Sequence, residues 1–260
     1  MPLPEHTPWI IKPKPVEEAL VRLFCIPYAG GDASVFRMWP AYLPPEIEVN
    51  AIEFPGCLRR IAEPPYTSIA PLVNDLARFL LPHLDRPFAI FGLCTGSFIA
   101  FELTRQIRNL CGREPLHFFP TCIWAPHLPY GYKHIHALPE KEFIKEFGLL
   151  GGMAQEAMDE PDLMKILVVA ARADFQAAET YECVEGVPLT CPLTAIGANL
   201  DHLVKPEQVT AWNGYTQGSF KSKILDGDHF LWETSREPLV HAVHEGIQSS
   251  LASEREESFL

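Results

Sequence analysis

Short apolar runs alternate along this chain with longer amphipathic segments, and that alternation restricts its fold more than any other feature. Val21 to Tyr28 (VRLFCIPY) reads as a strand running into a glycine loop, Ala29-Gly30-Gly31. Glu46 to Phe54 (EIEVNAIEF) alternates as a second strand behind Pro44 and Pro45. Ser68 to Leu84 then carries Ile69, Leu72, Val73, Leu76, Phe79 and Leu80 on one helical face, with Ser68 as the expected N-cap. Phe88 to Phe91 is another apolar run, followed by Gly92 to Gly96 and a helix over Phe98 to Ile107. His117 to Trp124, Leu193 to Ile196 and Phe220 to Leu225 read as strands, and Glu237 to Leu251 as a closing helix. Such alternation predicts an α/β fold, a mostly parallel central sheet with helices on both faces.

One stretch breaks the rhythm. Ala137 to Glu182 is helical by pattern, through Phe143, Ile144 and Phe147 and then Leu163, Ile166, Leu167 and Ala170, with no strand between. It is therefore expected as a helical lid insertion over the carboxyl edge of the sheet, where such folds bind ligands. Its Phe143, Phe147, Met153, Met158, Met164 and Phe175 suit either an apolar chamber or the lid's own core. The expected organisation is a single domain over residues 15–251 with the lid at about 137–182. Residues 1–14, with four prolines, and 252–260, which include the charged run Glu254 to Glu257, are expected to be loose.

Composition narrows the function. The 260 residues are 47% hydrophobic and 21% charged, which suits one large globular domain. A net charge of −12 leaves no basic surface to neutralise phosphates, so neither nucleic acid nor an anionic membrane is an expected partner. No apolar run approaches the ~20 residues that span a bilayer, and Met1 to Lys14 lacks the apolar core of a secretion signal. The seven cysteines, at 25, 57, 94, 111, 122, 183 and 191, form no Cys-x-x-Cys pair or Cys/His ligand spacing. They predict reduced thiols in a cytoplasmic protein and no metal site. The protein is expected to be a monomer.

The strongest local signal is Phe91-Gly92-Leu93-Cys94-Thr95-Gly96-Ser97, a Gly-x-nucleophile-x-Gly spacing directly after a strand and before a helix. In that context the nucleophile sits on a sharp, strained turn, and side chains two residues to either side would strike neighbouring backbone. The turn presents Cys94 at the sheet edge near the positive end of the next helix, which favours a thiolate. The plainer reading makes Cys94 a small buried hydrophobe, the commonest fate of a free cysteine. Other residues decide between them.

A nucleophile of this type needs a base, an orienting acid and an oxyanion site. In α/β-hydrolase folds the chain order is nucleophile, acid, histidine. Of the downstream histidines, His229 in Asp226-Gly227-Asp228-His229-Phe230 is best placed, in a glycine loop between the last strand and the last helix. His241 and His244 fall within that helix, and His134 and His136 flank the lid. Asp201 follows the strand Leu193 to Ile196, one strand and loop before His229, and can orient its imidazole. Asp228 is too close to the histidine for that role and reads as loop chemistry, and Asp174 reads as a structural lid residue. The backbone N–H of Thr95, after the nucleophile, and that of Ala29, in the glycine loop, are the expected oxyanion donors. A phosphate loop at Ala29-Gly30-Gly31 lacks the spaced glycines and lysine that such loops need.

With these residues assembled, the chain resembles the type II thioesterases that accompany nonribosomal peptide and polyketide synthases. The resemblance rests on Phe24-Cys25-Ile26-Pro27-Tyr28-Ala29-Gly30-Gly31 with Phe36 and Trp39, and on Phe54-Pro55-Gly56 with Arg60 and Glu63-Pro64-Pro65. It continues through the Cys94 turn, Arg172-Ala173-Asp174-Phe175 with Glu179 and Tyr181, and Gly197 with Asp201. Pro206-Glu207-Gln208-Val209 with Trp212 and Gly227-Asp228-His229-Phe230-Leu231 complete it. These matches run in order from about Trp9 to about Leu251. The resemblance implies an α/β-hydrolase fold, a Cys94, Asp201 and His229 triad, and oxyanion donors at Ala29 and Thr95. It also implies a carrier protein as partner, whose phosphopantetheine arm brings the acyl group, so that no cofactor of the chain's own is expected. Two departures stand out. The family turn reads Gly-His-Ser-Met-Gly where this chain has Leu93, Cys94 and Thr95 in the middle, and the family arginine after Pro-Gly is here Cys57.

Three functions follow as expectations: hydrolysis of carrier-bound acyl or aminoacyl thioesters, transfer of the acyl group from one carrier thiol to another acceptor, and carrier binding without turnover. Because the chain is acidic, carrier docking is expected at an apolar patch near the lid or at a basic cluster, Arg59-Arg60.

Overall fold

The computed structural model describes residues 9–150 and 161–257. Among them, β1 (Ile10–Ile11), β2 (Val21–Ile26), β3 (Ile47–Ile52), β4 (Phe88–Leu93), β5 (His117–Thr121), β6 (Leu193–Ala198) and β7 (Phe220–Leu225) form one sheet in the order β1-β3-β2-β4-β5-β6-β7. All neighbours are parallel except β1, which runs antiparallel to β3. The main helices are α1 (Ile69–Leu80), α2 (Gly96–Cys111), α3 (Glu140–Leu149) and α4 (Pro161–Glu179). Two short ones, α5 (Pro206–Thr210) and α6 (Leu231–Thr234), precede the long α7 (Arg236–Glu257).

The strands are apolar at consecutive positions because both sheet faces are covered. In β2, Phe24 and Ile26 join the core under α1 and α2, whereas Val21, Leu23 and Cys25 join the opposite core with Leu239, Val243 and Ile247 of α7. A third, smaller cluster lies apart from the sheet and consists of lid residues, among them Phe143, Phe147, Met164 and Phe175, packed on Ala29. Phe143 and Met164 are thus lid core, whereas Phe147 and Phe175 belong to that cluster and also line the cleft beside Cys94. Met153 and Met158 lie outside the described residues.

The expected parallel sheet with a helical insertion is the observed α/β-hydrolase fold, with local differences. The first fourteen residues are not loose to their end: Ile10 and Ile11 pair with Ile52 and Ala51, and Trp9 is buried beside Tyr66. Apolar side chains here find a sheet edge that a two-residue strand can cover. The charged run near the C-terminus is helical, since α7 continues through Glu257 and meets no breaker. Ser68 stands at the N-cap of α1, but its side chain makes no capping hydrogen bond. Phe79 is 44% exposed and packs against Trp9 from outside, so the buried stripe of α1 is carried by Ala77 in its place. No helix among the described residues is long and apolar enough to cross a membrane.

Sheet order positions the site. The chain lays β3 on one side of β2 and β4 on the other, which opens a crevice beyond the carboxyl ends of β2 and β4. Their register sets Ile26 opposite Gly92, so the loop after β2 and the turn after β4 lie side by side. Farther along, the neighbours β6 and β7 deliver the loops that hold Asp201 and His229.

Candidate active site

Cys94 has a φ of 46°, in the left-handed region that a residue with a side chain enters only under constraint. That conformation costs on the order of 1–3 kcal/mol and persists where its surroundings over-determine it. Here they do. The Cys94 N–H donates to the Thr121 carbonyl at 2.8 Å, and the Ser97 N–H donates to the Cys94 carbonyl at 2.9 Å. The Ser97 hydroxyl, fully buried, donates to the Gly92 carbonyl at 2.8 Å and accepts from the Thr121 N–H at 3.1 Å. The two glycines are obligatory on the same ground. A Cβ on Gly92 would lie 2.5 Å from the Ser97 Cα, and one on Gly96 would lie 2.1 Å from the Pro27 carbonyl oxygen. The half-buried Cys94 therefore faces a cleft and not the packed interior.

The Asp201 carboxylate is buried and divides its work. One oxygen accepts from the Leu203 and Val204 N–H groups at 2.8 and 3.0 Å, and the other accepts from His229 Nδ1 at 2.8 Å. His229 is 4% exposed and lines the same cleft as Cys94. Burial by itself would lower the imidazole's affinity for a proton. The charge on Cys94 and the hydrogen bond to Asp201 outweigh burial and push its pKa up to about 10. Of the three residues the sequence singled out, Asp201 and His229 are joined directly, and Cys94 and His229 border one cleft.

The remaining sequence candidates separate cleanly. Asp228 accepts from the Phe230 N–H and the Thr234 hydroxyl, as a loop organiser. Asp174 accepts from the Gly30 N–H at 2.9 Å, and burial pushes its carboxyl up to about 7. It ties α4 to the loop that carries Ala29. His136 is bound to Glu179, His117 is walled in between the Ser250 and Thr194 hydroxyls, and His241 lies exposed on α7. The Ala29 N–H donates to the Thr95 hydroxyl at 2.9 Å. The Thr95 N–H stands at the head of α2, where no intrahelical acceptor is available to it. The basic cluster expected for docking does not exist as a pair. Arg60 is 5% exposed, engaged with Glu63 and the Glu53 carbonyl, and stacked 4.0 Å from the Trp9 ring.

The cleft around Cys94 has largely aromatic walls: Tyr28, Tyr130, Tyr132, Phe147, Phe230 and Trp232. Tyr28 stacks on Trp232 at 4.6 Å. The Tyr132 hydroxyl is buried without a hydrogen-bond partner among the described residues. Sequence reasoning passed over Tyr130 and Tyr132. The available signal was their place in the loop after β5, at the same sheet edge as Cys94. A second, narrow cleft, reaching Phe54, Ile69, Leu72 and Ile99, shares Tyr28, Ala29 and Thr95 with the first.

Comparison with known proteins gives the family. Residues 21–247 match the family model described as a thioesterase domain. The chain is 39% identical over 250 residues, 95% of each chain, to the protein named linear gramicidin dehydrogenase LgrE of Brevibacillus parabrevis. It is 35% identical over 244 residues to the gramicidin S biosynthesis protein GrsT of Aneurinibacillus migulanus, covering 94% of this chain and 95% of that one. Among solved structures, the type II thioesterase BorB from the borrelidin biosynthetic cluster superimposes with a TM-score of 0.84 at 30% identity, over 92% of this chain and 97% of that one.

Proposed function

The chain belongs to the thioesterase domain family and is a thioester hydrolase, and from that premise we propose that it releases acyl or aminoacyl groups from the phosphopantetheine arm of carrier proteins in nonribosomal peptide or polyketide biosynthesis. Cys94 is the nucleophile, His229 the acid and base, and Asp201 the group that orients it. The His229–Asp201 hydrogen bond, facing the same cleft as a Cys94 held on a strained turn beside Ala29 and Thr95, carries the reading.

The raised imidazole defines the order of events. With its pKa pushed up to about 10, His229 holds a proton at neutral pH, and Cys94 reacts in the thiolate form that makes a cysteine nucleophilic. The thiolate sulfur attacks the thioester carbon, and the carbonyl π pair moves to oxygen, where backbone N–H groups receive it. When the tetrahedral species collapses, the carbon–sulfur bond to pantetheine breaks and the leaving sulfur takes the His229 proton. Acylation removes the Cys94 charge, one of the causes that raise His229, so the imidazole holds a proton less tightly while Asp201 still orients it. Neutral His229 can then deprotonate a water, which attacks the Cys94 thioester and frees the acid.

A second reading rests on Cys94 itself. Acyl exchange between two thiols is nearly thermoneutral, so a Cys94 acyl-enzyme stays activated for transfer to another thiol or an amine, whereas a serine ester lies downhill. The dehydrogenase in one relative's name finds no counterpart in this sequence, which has no Gly-x-Gly-x-x-Gly run after a strand. With Arg60 occupied, docking of an acidic carrier falls to exposed apolar side chains of the lid, Leu149 and Val169.

Intact-mass spectrometry with a panel of acyl carriers tests the proposal. The expected result is an acyl adduct on Cys94 that decays to free acid and is absent in Cys94→Ala. Turnover that persists in Cys94→Ala refutes the nucleophile. Acyl passage to a labelled second carrier that outpaces release of acid selects the transferase. Cys94→Ser is expected to keep hydrolysis and lose transfer.

A further inference from the structure

The Ala29 N–H, one of the two oxyanion donors, is already engaged: it donates to the Thr95 Oγ1 at 2.9 Å. Thr95 is buried and borders both clefts that meet at the nucleophile. A hydroxyl has a proton to give as well as lone pairs to receive with. Among the described residues the Thr95 hydroxyl receives from Ala29, and its own proton meets no acceptor. The backbone N–H of the same residue is the other oxyanion donor. Only Cα and Cβ separate that nitrogen from Oγ1, so an oxygen seated between the Ala29 and Thr95 N–H groups lies within reach of the hydroxyl.

We propose that the Thr95 hydroxyl is a third donor of the oxyanion site, which holds the place of the carbonyl oxygen at rest and turns to donate its proton to that oxygen as charge develops. This inference rests on the reading of Cys94 as nucleophile. At rest, the hydroxyl spares the Ala29 N–H the cost of standing buried and unpaired. When the thioester carbonyl enters, its oxygen takes over the Ala29 N–H. The displaced hydroxyl then exchanges a neutral hydrogen bond for a stronger, charge-assisted one to the forming oxyanion. Thr95 keeps its proton throughout, and no bond to it is made or broken.

A trifluoromethyl ketone analogue of an acyl pantetheine reads the site directly, because attack by Cys94 gives a hemithioketal whose oxygen can be titrated by fluorine NMR. Thr95→Val removes the hydroxyl and keeps the shape, Thr95→Ser keeps the hydroxyl, and Thr95→Ala serves if the valine variant does not fold. The expected result is a rise of about one pH unit in the titration of that oxygen in Thr95→Val or Thr95→Ala, with none in Thr95→Ser. A fall of about 10- to 100-fold in kcat should accompany it, with KM little changed, less than the roughly 10²- to 10³-fold for a principal donor because the two N–H groups remain. A titration unmoved in Thr95→Val, or a kcat equal to or above that of the wild type, overturns the proposal by making the hydroxyl a bystander or an obstruction. Absence of any hemithioketal in the wild type overturns the reading of Cys94 instead, and this inference falls with it.

Discussion

The two sides of the cleft are built on different principles. On the sheet side, Cys94 is fixed by backbone: neighbouring strands, a left-handed turn, and glycines with no room for a methyl group. On the lid side, besides the small apolar cluster, α4 is tied to the loop before α3 and to the Ala29 loop by a few side chains that reach main-chain groups. Glu179 accepts from the Ile135 and His136 N–H groups, Arg172 donates to the His136 and Leu138 carbonyls, and Asp174 accepts from the Gly30 N–H. A scaffold set by backbone sterics has one solution and fails outright. A lid pinned by separate polar contacts loosens one contact at a time, and some of its contacts respond to pH.

The sharpest break of that contrast is Gly96→Ala. Its methyl would need the space of the Pro27 carbonyl, main chain that cannot step aside without moving β2 and the Ala29 loop. Destabilisation above about 4 kcal/mol or loss of soluble protein is expected, in the exceptional range for one substitution. A Gly96→Ala protein with near-native melting and turnover would show that the turn yields. Next is Asp201→Asn, which alters chemistry on the rigid side while leaving packing in place. An amide cannot accept from the two backbone N–H groups and from His229 Nδ1 together, so the imidazole loses its orientation and its raised affinity for the proton. Activity should fall by about 10³- to 10⁴-fold, the scale seen when a triad acid is neutralised, with a melting temperature close to wild type. Acylation kinetics against pH provide the check. Wild-type acylation should decline as pH rises toward about 10, where His229 loses its proton, and the decline should move to lower pH in the variant.

The lid's dependence on pH comes through Asp174. Its carboxyl is pushed up to about 7 in the folded protein by burial, against an ordinary value of 3.8. At pH values below the ordinary one both folded and unfolded chains hold the proton, and the acid costs nothing extra. As pH rises from about 4 to about 7 the unfolded chain ionises first, and wild-type stability falls until the folded acid ionises too. Each unit of difference is worth about 1.4 kcal/mol, which sets an upper limit of about 4 kcal/mol on the loss. Asp174→Asn retains an oxygen for the Gly30 N–H and lacks the titration. Its melting temperature relative to wild type should therefore climb by several degrees between pH 4 and pH 7 and then level off. A constant difference across that range would detach the lid from Asp174.

How much was legible beforehand follows the same division. Cys94, Asp201 and His229 were readable because the fold places them at fixed stations after β4, β6 and β7, and because Gly92 and Gly96 advertise a turn that few structures need. Ile10 and Ile11 were not, since a two-residue strand carries no periodicity. Arg60 was misassigned to docking because a charge pair in sequence says nothing of a tryptophan ring lying 4.0 Å away. Tyr130, Tyr132 and the Ala29–Thr95 contact depend on where side chains from distant loops converge, and no local pattern encodes that.

The smallest expected effect tests how separable the two sides are. In Glu179→Gln the amide keeps one oxygen to accept from a backbone N–H, but its NH2 group must face the other. The fully buried carboxylate now serves the Ile135 N–H at 2.7 Å, the His136 N–H at 3.2 Å and the His136 ring. One donor left unsatisfied costs about 1–3 kcal/mol. If the lid is an independent layer, that loss stays within it. Amide exchange should quicken around residues 135–147 while β2, β4 and β5 keep their protection, and KM should rise with kcat almost unchanged because the Cys94 turn is untouched. Equal loss of protection in the sheet would mean that the lid cluster around Phe143 and Phe147 stabilises the core through Ala29, and that the two sides of the cleft unfold as one unit.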